Sequence, residues 1–219
     1  MSNKEEFLKG EADRFFSRTL AHEHKPLEDK VCRLLAEWLN PFKDSIETNL
    51  EVGSSDGRVL NTITTELGSS GYGLEPSHNA IDVSSRDFPN LQFVNGFADQ
   101  LPYNSEFFDF VHLGFFLYLV DRSDYLRCIS EADRVLKPGG FLSILDFDPA
   151  YSQKRNYRHN ENIKTFKQNN LAMFLSSEMY YLVNKSSMSH TSSQFERDSD
   201  FRVSLSLLYK ETDPFPLNP

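Results

Sequence analysis

Seven consecutive residues, Glu51-Val52-Gly53-Ser54-Ser55-Asp56-Gly57, combine what a small-ligand site needs. A short apolar run, Asn49-Leu50-Glu51-Val52, leads in, and a helical pattern over Arg58–Leu67 leads out. Glycine serves where the backbone must turn tightly or approach a ligand with no Cβ in the way. The helix start adds free N–H groups and a partial positive charge, which suit an anionic group such as a carboxylate. Glu75 ends the next apolar run about 20 residues later, where an acid in such folds accepts hydrogen bonds from ribose hydroxyls. Gly53 and Gly57 alone would describe a plain sharp turn, with Glu75 as a capping acid. It is the combination that points to a ligand.

The elements that must carry these residues alternate between strand and helix. Strands are expected at 49–52, 71–75, 91–94, 107–113 and 141–147, the fourth nearly all apolar, as a strand covered on both faces should be. Helices are expected at 58–67, 77–88 and 121–136, the last closed by Lys137-Pro138-Gly139-Gly140. Before them, a helix over Asn3–Leu20 and a second from Pro26 to about Asn40 are joined by a turn at His22–Pro26. After Pro149 a polar stretch runs to Asn170, then a short helix or turn near 171–177, then strands at 180–189 and 200–210. The expected fold is α/β and doubly wound: a mostly parallel seven-stranded sheet, a C-terminal antiparallel hairpin, helices on both faces and an N-terminal helical cap. The boundaries are a cap over 1–44, a core over 45–149, an insert and closing hairpin over 150–212, and a tail over 213–219.

With these motifs in order, the chain resembles the class I S-adenosylmethionine-dependent methyltransferases. Their glycine motif usually reads acid-x-Gly-x-Gly-x-Gly, and Glu51–Gly57 keeps all but the middle glycine, where Ser55 stands. Serine is small enough to admit methionine, and its backbone is expected to avoid strongly positive φ. Gly73-Leu74-Glu75-Pro76-Ser77 looks like the family's ribose-binding strand end. Asn95-Gly96-Phe97-Ala98-Asp99-Gln100-Leu101-Pro102-Tyr103 resembles its adenine segment, with Phe97 where an acid is common. Phe97 then reads either as packing on the adenine face, leaving Asp99 for the exocyclic amine, or as a core phenylalanine. The resemblance covers about residues 45–148. It implies S-adenosylmethionine as cofactor, bound by Glu51, Gly53, Ser54, Ser55, Asp56, Gly57, Glu75, Pro76, Phe97, Ala98, Asp99 and Gly114.

Methyl transfer from a sulfonium uses an already activated donor, so positioning and exclusion of water can supply most of the acceleration. A base is needed only when the acceptor must lose a proton. Gly114 falls where the chain should pass the sulfonium closely, and Tyr118 stands where the family often has a histidine facing the cleft. Asp146 and Asp148 follow the fifth strand and read either as base or anchor, or as caps of a turn. His112, inside an apolar run, reads as a core histidine. Tyr118, His159 and Asp146 are the catalytic candidates.

The segment Tyr151–Lys167 lies where such enzymes often place substrate-specific structure. It holds Lys154, Arg155, Arg158, Lys164 and Lys167 in a chain of net charge −9. Arginine's fork matches carboxylate or phosphate, and lysine adds a point charge. Tyr157, Arg158, His159 and Lys164 are therefore expected to bind a small anionic acceptor such as a sugar nucleotide, a sugar acid or a related metabolite, methylated on oxygen or nitrogen; the competing reading is a solvated basic loop that balances an acidic surface.

Bulk properties bound the alternatives. The acidic balance speaks against a nucleic-acid partner. Met1–Gly10 is polar, and no apolar run reaches the ~18 residues of a membrane span, so a cytoplasmic location is expected. Cys32 and Cys128 read as ordinary small residues, and no metal site is expected from the scattered histidines. The oligomeric state stays open. A cofactor-binding module without transferase activity and a nicotinamide-dependent oxidoreductase are the competing readings, the latter disfavoured by the glycine spacing.

Overall fold

The computed structural model describes residues 2–20 and 26–217. The expected turn at His22–Pro26 lies, up to residue 25, outside the described residues.

The N-terminal segment is not one helix. α1 (Asn3–Glu6) starts with a capping box, in which Ser2 Oγ accepts from Glu5 N and Glu5 Oε2 accepts from Ser2 N. A wide turn over Phe7–Glu11 follows, with Gly10 at φ +101°, and then α2 (Ala12–Leu20). Periodicity alone cannot see such a break, because the apolar spacing continues through it. α3 (Pro26–Leu39) is continuous, as expected, and buries Val31, Leu35 and Leu39.

The core then alternates: β1 (Thr48–Val52), α4 (Arg58–Leu67), β2 (Ser70–Glu75), α5 (His78–Asp87), β3 (Gln92–Asn95), β4 (Phe108–Gly114), α6 (Arg122–Val135) and β5 (Leu136–Phe147). β5 begins earlier than expected. Leu136 already pairs with Phe108, the register shifts between Phe108 and Phe110, and Gly139 at φ +81° carries the irregularity.

The expected polar stretch after Pro149 is instead a two-stranded antiparallel sheet, β6 (Gln153–Tyr157) and β7 (Asn160–Lys167), joined at Arg158-His159. Its strands are polar because one face looks outward; Ile163 and Thr165 are its buried residues. α7 (Leu171–Leu175), β8 (Tyr180–Ser189) and β9 (Arg202–Lys210) close the chain.

The main sheet has the order β3-β2-β1-β4-β5-β9-β8. β9 runs antiparallel to both β5 and β8, so it is the one reversed strand among seven. Two apolar clusters cover the faces. One packs Tyr125, Cys128 and Val135 of α6 with Phe174 of α7, and the other packs α3 with Ile63 and Leu67 of α4. Strand order reverses between β1 and β4. In open α/β sheets, ligands bind beyond the carboxyl ends of the strands at such a reversal.

Candidate active site

At that reversal lies a cavity of about 850 Å³, bounded by the strand ends, the N-terminal cap and the β6–β7 hairpin. Ligand pockets commonly span about 300–1,000 Å³, so there is room for a cofactor and an acceptor together.

The loop after β1 forms one wall. Gly53 N and Ser54 N both donate to Leu74 O, at 2.8 and 3.1 Å, which pins the loop to β2. Gly53 has φ +80°, and a Cβ there would lie 3.2 Å from Gly114 O and from the Phe116 ring, so the turn needs glycine. Ser55 corrects its expectation. Its φ is +47°, in the left-handed region, and its N–H donates to Glu75 Oε2 at 3.0 Å. Gly57 lies behind the cavity wall rather than on it; its φ of +78° starts α4, and a Cβ would approach the Phe93 ring to 2.8 Å. The α4 start is served partly by the chain itself, since Arg58 N donates to Asp56 Oδ1 at 3.3 Å.

Electrostatically this wall is acidic. Glu51 is 5% exposed, its carboxyl is pushed well above the ordinary range by burial and by Glu28, Asp56 and Glu75, and its Oε2 has no hydrogen-bond partner. Glu75 is pushed up to about 7 by burial, against the amides of Ser77 and Ser55 that donate to it. His112 holds Ser143 Oγ at 2.6 Å through Nδ1, and burial lowers it to about 4, so its ring is neutral. It is the satisfied core histidine expected, though its edge reaches the cavity, with Nε2 4.0 Å from Glu51 Oε1.

The adenine segment forms a second wall, with Phe97, Ala98 and Asp99 on the cavity and Pro76 beside them. Asp99 is 7% exposed, and its Oδ2 is 2.6 Å from Lys4 Nζ of the cap.

The third part is aromatic. Phe115, Tyr118, Phe147 and His190 cluster with ring centroids 5.1–5.9 Å apart. Burial pushes the Tyr118 phenol far up, so it stays protonated. Opposite, Phe15 of α2 stacks on Tyr157 of the hairpin, centroids 6.5 Å apart. Cations stand around this chamber. Arg18 reaches the Tyr157 hydroxyl at 3.5 Å and is held at 2.6 Å by Glu11, a carboxylate 1% exposed. Burial opposes ionisation of Glu11, but hydrogen bonds from Arg18, Arg14 and Asn160 outweigh it and lower its pKa. Lys167 lies 3.7 Å over the Phe147 ring, its pKa lowered by burial. Arg158 and His159 sit at the hairpin tip, with the guanidinium 3.3 Å from His159 Nε2. Burial first, then the nearby cations Arg18 and Arg158, lower the His159 pKa, which leaves its ring neutral.

Besides Gly57, two expected site residues do not reach the cavity. Asp146 is buried behind it and accepts from the amides of Phe147 at 2.6 Å and Tyr118 at 3.1 Å, so it caps the turn after β4. Lys164 points to the other side of the hairpin, where it donates to Asn156 Oδ1 and Glu161 O. Lys4, Phe15, Arg18 and His190, by contrast, face the cavity with no motif to announce them. The sole hint of Arg18 in the sequence is its helical spacing from Glu11 and Arg14.

Residues 50–144 match the model of a methyltransferase domain. Over that stretch the chain is similar to the class I, S-adenosylmethionine-dependent methyltransferases. A demethylmenaquinone methyltransferase of Staphylococcus saprophyticus is 31% identical over 144 residues, 64% of this chain and 58% of that protein. One from Listeria monocytogenes is 35% identical over 101 residues, 43% of this chain and 41% of its own. The chain thus spans about half the length of the curated relatives it matches. Among solved structures, the N-methyltransferase NodS from Bradyrhizobium japonicum, with bound S-adenosylhomocysteine, gives a TM-score of 0.65 at 16% identity, over 90% of this chain and 97% of that one. At that identity the likeness concerns the fold.

The methyltransferase cofactor can be tested against the wall just described. S-adenosylmethionine carries an ammonium and a sulfonium. The unpartnered Glu51 Oε2, with Asp56 and Glu75 close by, is suited to the ammonium. Ser54 Oγ is likewise buried without a partner, facing Gly73. Gly114 permits the close approach, since a Cβ there would lie 3.1 Å from Glu51 Oε1. The residues fit the group. Among the described residues no cluster of His, Cys, Asp and Glu could hold a metal, and no helix is long and apolar enough to cross a membrane.

Proposed function

We propose that this protein transfers a methyl group from S-adenosylmethionine to an oxygen or nitrogen of a small acceptor carrying both a planar ring and an anionic group. The observation that carries the acceptor class is the chamber between cap and hairpin, with aromatic walls and a cationic rim of Arg18, Arg158 and Lys167. A sugar nucleotide or a carboxylated aromatic metabolite has both features; a bare sugar acid has no ring to stack. Nucleic acid remains disfavoured as partner by the net charge of −9.

When bound, the cofactor supplies a methyl group on a positively charged sulfur. The chain's own residues then position and desolvate. Glu51 receives the ammonium, Glu75 receives ribose hydroxyls, and Phe97 and Ala98 flank the adenine. Gly114 lets the reacting atoms pass close to the backbone. Arg158 and Tyr157 hold the acceptor at the hairpin. Tyr118, protonated at neutral pH, orients the acceptor as a hydrogen-bond donor rather than acting as a base. Where the acceptor must lose a proton, the neutral imidazole of His159 at the mouth takes it. The products are the methylated acceptor and S-adenosylhomocysteine. Asp146 keeps a structural role.

The test is a screen for S-adenosylhomocysteine release with uridine diphosphate glucose, 4-hydroxybenzoate and demethylmenaquinone, the acceptor in the relatives' names. Phenol serves as the uncharged control for 4-hydroxybenzoate. An anionic, ring-bearing acceptor should turn over, and the Arg158→Ala/His159→Ala double variant should lower that turnover by about tenfold or more, the value of one charge-assisted contact. Its affinity for S-adenosylhomocysteine should stay within about twofold. Equal turnover of the double variant, or a preference for phenol, would sink the acceptor assignment. Cofactor binding with no turnover of any acceptor would favour a non-transferase module.

A further inference from the structure

The N-terminal turn reaches into the adenine end of the cavity, and its placement is over-determined. Asn3 Nδ2 donates to Leu119 O at 2.7 Å and to Lys164 O at 2.6 Å, and Lys164 N returns a bond to Asn3 Oδ1 at 2.9 Å. Lys4 N donates to Asp121 Oδ2 at 3.3 Å. With its own N–H tied to Asp121 and the adjacent Asn3 side chain tied to Leu119 and to β7, Lys4 extends its side chain along the cavity edge. Its Nζ meets Asp99 Oδ2 at 2.6 Å and stands 5.1 Å from the centroid of the Phe97 ring.

Among the described residues, a second cation near Asp99 is Arg127, whose Nη1 is 3.8 Å from the same Oδ2 and whose side chain is 64% exposed. Both cations approach one oxygen, so neither holds Oδ1. A carboxylate as buried as Asp99 is costly without a counter-ion, and removing one partner of such a pair leaves the other uncompensated. Lys4 is therefore what keeps this carboxylate in place, facing the segment Gly96-Phe97-Ala98 that lines the cavity.

The geometry points to Lys4 as a positioning residue for the cofactor's adenine: it holds Asp99 through Oδ2 so that Oδ1 receives the exocyclic amine, and it covers one face of the Phe97 ring so that the base packs on the other. This inference rests on the methyltransferase reading. It assigns to the cap a part in choosing the nucleobase, a task that the core residues would otherwise perform alone. A cation over an aromatic face is attracted by the ring quadrupole, which helps fix the ring's plane as well.

The experiment is calorimetry with two probes, S-adenosylhomocysteine and S-inosylhomocysteine, in which a carbonyl oxygen replaces the amine. The unaltered protein should prefer the adenosyl compound, because the inosyl oxygen would face a carboxylate oxygen. Lys4→Met should weaken S-adenosylhomocysteine by about tenfold, the worth of one charge-assisted hydrogen bond, and narrow the preference. Lys4→Arg should restore both. Asp99→Asn, which keeps the volume and supplies an amide donor, should narrow or reverse the preference. Lys4→Met binding as tightly as the unaltered protein would overturn the inference, and tighter binding would do so by making Lys4 a competitor of the amine. An equal loss for both probes would also overturn it, since a purely structural role of the cap predicts that result. Failure of the unaltered protein to bind either probe would overturn the methyltransferase reading itself, and with it this inference.

Discussion

Glu75, proposed above to receive the ribose hydroxyls, would become a pH sensor through its burial. Burial lifts its carboxyl from 4.5 to about 7, although the Ser77 and Ser55 amides favour the ionised form. Ribose hydroxyls donate to a carboxylate, so cofactor binding favours the ionised form further and releases a proton wherever the free protein still holds one. Affinity for S-adenosylhomocysteine should therefore rise by up to about tenfold per pH unit towards pH 7 and level off above it. Glu75→Gln should bind more weakly and show no such slope from this group; calorimetry at pH 6, 7 and 8 decides. The sign for stability is opposite. The folded chain keeps a proton between pH 4.5 and about 7 that the unfolded chain has given up, so the stability Glu75 contributes falls across that window. The placement of Glu51 and Glu75 at the cavity was legible because strand, glycine turn and helix force it. Lys4 and Arg18 were not, since the partner of Lys4 is Asp99 and that of Arg18 includes Tyr157, far away along the chain. Ser55 departs from the sequence expectation for another reason: the amide that Glu75 recruits holds a serine where φ is positive.

At the scale of elements, the parallel strands were readable because each is an apolar run bounded by turn residues, and β4 is buried on both faces. The β6–β7 hairpin was not, because an exposed two-stranded ribbon needs few apolar residues, and Gln153–Tyr157 contains none but its final tyrosine. The N-terminal segment failed in the opposite way, since Gly10 breaks a pattern that is otherwise helical. Cap and hairpin meet through Asn3, 3% exposed, which ties α1 to Leu119 and Lys164. Asn3→Ala leaves Lys164 N without its acceptor and should cost about 1–3 kcal/mol, the penalty for a buried group left unpaired. The loss should appear locally. Trypsin should cut faster at Lys4, Lys9, Arg14 and Arg18, while the sheet resists as before. Unchanged cleavage in the cap, with a lowered midpoint for the whole protein, would show that Asn3 supports the core instead.

The whole molecule is one sheet with two additions, the cap before β1 and the hairpin after β5, and all three line the same cavity. A ligand that fills such a cavity stabilises every part that contacts it in proportion to its affinity for the closed form. At a hundred times its dissociation constant, S-adenosylhomocysteine should add about 2.7 kcal/mol to the unfolding free energy. For a chain of this size that corresponds to a midpoint roughly 5–10 °C higher by calorimetry. A second readout separates the core from its cover. The cap touches the adenine segment through Lys4–Asp99 and the start of α5 through Asp13, which accepts from Ser77 Oγ at 2.7 Å and Asn79 N at 3.1 Å. Both contacts flank the residues assigned to ribose and adenine, so a bound nucleoside should hold the cap shut. Trypsin cleavage at Arg14 and Arg18 should then slow in step with occupancy. A raised midpoint with cap cleavage unaffected would mean that the cofactor binds the core alone, and that α1 and α2 serve the acceptor chamber rather than the nucleoside.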